Sequence, residues 1–96
     1  MSKLSQLATS IKCVVPSDMV KNVKGKCNFG RTEWKGYDFP AISGKVLRLY
    51  REGGEGERIK VIVFKAPGHM MLEYEVEFSH DVPNKAIAIF CLAVLT

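Results

Sequence analysis

Apolar residues recur along this chain with two different periods, and the switch between them divides it. Leu4, Leu7, Ala8 and Ile11 fall at i, i+3, i+4 and i+7, the spacing of one helix face. Ser2 stands where a capping side chain is needed, and Pro16 cannot continue the run, so a helix is predicted over residues 2–15. Ser17 and Asp18 offer a second cap. Met19, Val20 and Val23 would line the inner side of a short second helix to about Lys24, closed by Gly25.

From Gly44 onward the period is two. Strands are predicted at residues 45–51, 57–65, 70–78 and 85–95, with a glycine-rich hairpin tip at 52–56 and a Pro-Gly turn at 66–69. Met70, Leu72, Tyr74, Val76 and Phe78 alternate with Met71, Glu73, Glu75 and Glu77. If the Pro-Gly turn sets the register, Ile59 faces Val76, Val61 faces Tyr74, Val63 faces Leu72 and Lys65 faces Met70. Lys60 then meets Glu75 and Arg58 meets Glu77, which places opposite charges across from each other. Residues 85–95 are apolar on both sides, so a strand there needs cover on both faces. Helices are the economical cover; a second copy of the chain is the other solution.

These patterns together predict one α+β domain over residues 1–96. Two short N-terminal helices would pack on a four-stranded antiparallel β-meander able to curl into a small open barrel. Residues 1–24 form the helical segment, 25–43 a basic-aromatic loop segment, and 44–96 the sheet.

Composition narrows the class. An apolar share of 47% over 96 residues is ordinary for a folded domain. No apolar run approaches the roughly 18–20 residues of a membrane span, and the first residues lack a signal-peptide core, so an intracellular, cytoplasmic protein without membrane contact is expected. Cys13, Cys27 and Cys91 are odd in number and lack metal-binding spacing, which argues against a disulfide framework and a zinc site. Residues 1–51 hold ten Lys/Arg and three Asp/Glu, and residues 52–96 hold four and seven. That asymmetry predicts one basic face and one acidic face.

Candidate chemistry is sparse. Glu73, Glu75 and Glu77 could serve as paired carboxylates, but cations are expected opposite two of them. His69 and His80 lie eleven residues apart at opposite ends of one predicted strand, too far to share a metal. Ser79, His80 and Asp81 are adjacent in sequence, whereas a catalytic relay is assembled in space. Cys27 has Lys24, Lys26 and Arg31 nearby, which could activate a thiol. The glycines at 53, 54 and 56 lack the Lys-Ser/Thr ending of a phosphate loop. No enzyme activity, cofactor or metal is expected.

One segment leans toward a function. Residues 21–39 interleave cations with rings, and Lys24, Lys26, Phe29, Arg31, Trp34, Lys35 and Tyr37 are its candidate contacts. Cations attract phosphate and flat rings stack on bases, so single-stranded nucleic acid is the expected partner. Lys45, Arg48 and Arg51 could extend the patch. The alternative is a protein-binding module, a compact inhibitor or assembly factor of the phage type. It would dock an acidic protein on its basic face, or form a homo-oligomer through an apolar sheet face.

Overall fold

A computed structural model describes residues 2–27, 29–53, 58–65 and 72–96 of the chain. The elements run α1 (Lys3–Lys12), a single 3-10 turn (Ser17–Met19), β1 (Lys21–Cys27), β2 (Thr32–Pro40), β3 (Lys45–Glu52), β4 (Ile59–Lys65), β5 (Leu72–Phe78) and α2 (Asn84–Leu95). The five strands make one antiparallel sheet in the order β1-β2-β3-β4-β5, open at both edges. The architecture is α+β, but it is not two N-terminal helices on four strands. Both departures have a physical reason.

The first lies at residues 21–40. The expected second helix is one 3-10 turn long, because the chain extends at Lys21 to pair with β2. Seven residue pairs, from Lys21↔Asp38 to Cys27↔Thr32, join β1 to β2, so the segment expected as a loop is a hairpin. At its tip Phe29 and Gly30 take φ of 59° and 83°, the left-handed values that reverse such a ribbon. Gly25 does not end a helix. It sits opposite Trp34, whose ring would lie 2.6 Å from a Cβ at that position.

The second is the last strand, which is instead α2. Its apolar residues are continuous, so periodicity cannot separate the two states. Length does: twelve residues are long for a strand, and Ala86, Ala88 and Ala93 favour a helix. Pro83 at the N-cap marks the start. Ile87, Cys91 and Leu95, one turn apart, are buried. Burial pushes the Cys91 thiol up to about 12, so it is an inert core group.

Both helices pack on the same sheet face. α1 is capped by the Ser2 hydroxyl, which accepts from the Ser5 N–H, and it buries Leu4, Leu7, Ala8 and Ile11 as the periodicity predicts. Lys3 Nζ donates to the Val82 carbonyl at 2.5 Å and Asn84 donates to Gln6 at 3.0 Å, tying the helix starts together. Beneath them run two apolar rows across the sheet, Tyr37–Leu49–Val61–Val76 and Phe39–Leu47–Val63–Tyr74. Burying each Leu, Ile, Val or Phe contributes roughly 1.5–3 kcal/mol. A one-residue slip would expel Leu47, Leu49, Val61 and Val63 together, so the face assignment is strongly fixed.

The β4–β5 register differs from expectation by two residues: Val61 faces Val76 and Val63 faces Tyr74, with an irregularity at Val63/Phe64. A shift of two preserves the faces. Arg58 still reaches Glu77 at 3.6 Å, while Lys60 pairs with Glu52 at 3.1 Å rather than with Glu75. The expected turn at 66–69, the Lys65–Met70 pair and part of the tip at 52–56 lie outside the described residues. Among the described residues, no helix is long and apolar enough to cross a membrane.

Among the described residues, no helix lies over the second face of the sheet, and it is held by its own side chains. Arg48 donates to both Asp38 carboxylate oxygens, at 2.8 and 3.0 Å. Its guanidinium also lies 5.0 Å from the Trp34 ring and 5.2 Å from that of Phe64. Trp34 meets Tyr50 edge-on at 5.7 Å. Gly36 is required here, because a Cβ would stand 2.1 Å from the Leu49 carbonyl oxygen. Gly36→Ala is therefore expected to cost about 2–3 kcal/mol, a fall in Tm on the order of 10–15 °C by thermal melting.

Candidate anion-binding cleft

Strand alternation decides which candidate residues can act together. In β2, residues 33, 35, 37 and 39 point to the helix-covered face, and 34, 36 and 38 point to the other. In the register, Lys24 stands opposite Lys35, and Lys35 stands opposite Arg51. Three cations thus form one row across β1, β2 and β3, on the face that carries the core but clear of the apolar rows. Like charges directly opposite one another destabilise a sheet. Among the described residues, none of the three has a carboxylate within salt-bridge distance.

The row lines an open cleft of about 920 Å³, together with Lys26, Arg31, Glu33 and Gly53. Glu33 stands opposite Lys26 and is the cleft's one acidic side chain among the described residues. A second cleft of about 380 Å³, lined by Ser2, Ser5, Asn22 and Tyr37 among others, shares Lys24 and Lys35 with the first. The Arg51 side chain is part-buried, and its Nε–H has no hydrogen-bond partner among the described residues. An unmet buried donor costs on the order of 1–3 kcal/mol.

Sequence reasoning located the cations but not their grouping. Lys24, Lys26, Arg31 and Lys35 come together. Arg51 completes the row, whereas Lys45 and Arg48 are engaged elsewhere, with Glu73 at 2.8 Å and with Asp38. Trp34 is not brought to the row: although its residue borders the cleft, its ring packs on the opposite face with Arg48, Tyr50 and Gly25. Tyr37 shares the cations' face but turns in toward α1, where Lys12 Nζ lies 4.9 Å from its ring centre. Phe29, at the hairpin tip beside Arg31, is fully exposed at 105%. A bulky residue with positive φ is strained, and here no packing offsets the strain.

The other candidates are structural. The Lys45 ammonium hydrogen-bonds Glu73 and holds its carboxyl below the usual range, and Lys65 also approaches it at 3.8 Å. Ser79 Oγ hydrogen-bonds the Asp81 carboxylate and lowers its pKa; His80 is exposed in the same loop, and His69 lies outside the described residues. Cys27 is half-buried and points away from Lys24 and Lys26, which occupy the other face of β1. No group of three or more metal-ligating side chains occurs among the described residues. Comparison with protein-family models, with curated proteins and with solved structures finds no match.

The packing of Trp34 on Gly25 yields a test of the face assignment. Gly25→Val should displace the indole, shifting the emission of the protein's sole tryptophan to longer wavelength. An unchanged emission maximum would contradict the contact.

Proposed function

We propose that this protein binds single-stranded nucleic acid, without chemistry of its own, by gripping the phosphate backbone in the Lys24–Lys35–Arg51 cleft. The observation that carries the reading is the row itself: three cross-strand cations with no neutralising carboxylate among the described residues. A polyanion would relieve their repulsion and release its own counterions. Lys26 and Arg31 extend the positive surface toward the hairpin tip, and there Phe29 offers a bare ring on which one base can stack. Concavity favours a flexible single strand, since duplex grooves are usually entered by a protruding helix or ribbon. The aromatic cluster of Trp34, Tyr50 and Phe64 takes no part, because its cation Arg48 is already bonded to Asp38.

An acidic protein could seek the same cations, and a salt titration with variants separates the two. For a labelled oligothymidylate followed by fluorescence anisotropy, four to five phosphate contacts predict a log–log salt slope of about −3. Lys24→Gln with Lys35→Gln should reduce that slope by about 1.4, and Trp34→Phe should leave affinity unchanged. No binding at low salt would sink the reading and turn the search to an acidic protein partner.

Phe29 gives a separate signature. Phe29→Asn should weaken oligonucleotide binding about tenfold by removing the stacking ring. It should also raise stability by several tenths of a kcal/mol, because Asn tolerates the left-handed turn. A variant that lost both stability and affinity would assign Phe29 a structural role instead.

A further inference from the structure

We infer that Lys24, Lys35 and Arg51 form a discrete phosphodiester subsite in which Arg51 supplies a two-pronged fork. The inference rests on the nucleic-acid reading above and names the contact at its centre.

Three observations meet at one place. The register puts the three cations side by side, so a single phosphate can lie within reach of all of them. Two clefts share Lys24 and Lys35, which lets a chain leave the subsite in two directions, toward Arg31 or toward Tyr37. An internal phosphate of a strand fits such a junction better than a terminal one. Finally, Arg51 holds an Nε–H without a partner among the described residues. The side of a guanidinium that presents Nε and one Nη matches two oxygens of a phosphate. When phosphate enters, the guanidinium turns so that Nε–H and Nη–H each donate to one oxygen, and the unmet donor is satisfied. The two ammonium groups contribute charge from either side. Arg48 shows the same fork in use within this protein, with its Nε and Nη2 bonded to the two oxygens of Asp38.

Geometry and charge therefore make different predictions at Arg51. Arg51→Lys keeps the charge and loses the fork. It should weaken oligothymidylate binding about tenfold, the loss of one charge-assisted hydrogen bond, while the salt slope stays that of the wild type. In the ¹⁵N-labelled wild-type protein, the Arg51 Nε–H resonance should move on adding inorganic pyrophosphate and again on adding oligothymidylate. Arg51→Lys assigns the resonance by its loss, and the wild-type spectrum remains informative even if that variant folds poorly. An oligonucleotide that binds with normal affinity to Arg51→Lys and leaves the Nε–H unmoved overturns the subsite while the nucleic-acid reading stands. Movement with pyrophosphate but no oligonucleotide binding overturns that reading and the diester assignment, leaving a site for small phosphates. No response to either ligand overturns both.

Discussion

The two helices cover only part of one face of the sheet, and the character of the protein follows from where that cover ends. Under α1 and α2, alternate residues of β2, β3 and β4 are apolar and pack into the core. The same alternation, continued two residues beyond Tyr37 and Leu49, delivers Lys35 and Arg51, with Lys24 joining from β1. Register is therefore shared between the core and the cleft. Enclosure of Leu47, Leu49, Val61 and Val63 fixes it with a stability far larger than the repulsion among three surface cations can oppose. The row is held in place by the core, at a cost the core can carry.

The opposite face shows what the cleft is not. There three cations have partners: Arg48 has Asp38 and two rings, Lys60 has Glu52, and Arg58 has Glu77. Cations matched in this way are internally neutralised, and offer little to a polyanion. Net charge alone would not separate the two faces. The distinction lies in which cations have been matched: Arg48, beside Trp34, is bonded to Asp38, while Lys24, Lys35 and Arg51 in the cleft have no carboxylate within salt-bridge distance among the described residues.

Elements with one clear period were legible from sequence. The α1 stripe and the alternating runs at β3, β4 and β5 were read correctly, though the β4–β5 pairing slid by two because the turn between them was an insufficient guide to register. β1 and β2 were not legible, since glycine and lysine carry no apolar alternation and Gly25 resembles a helix stop. α2 was misread because an all-apolar segment satisfies both periods. The cations of the candidate cleft were visible as residues, and Arg51 was within view as an extension of them. Their separation from Trp34 was not, because it depends on the alternation of strands that the pattern failed to reveal. Phe29 was legible as a ring but not as a bare one at a left-handed turn.

Repulsion within the row should be measurable in the free protein, before any ligand is considered. The direct test is thermal melting of the wild type and Lys35→Gln from low to high sodium chloride. Removing the middle charge should stabilise the protein at low salt by about 0.5–1 kcal/mol, or roughly 3–6 °C in Tm, and the difference should vanish as salt screens the row. A Lys35→Gln protein that is no more stable at low salt, with a salt response parallel to the wild type, would show that the three cations do not repel. The account of the cleft would then lose its foundation.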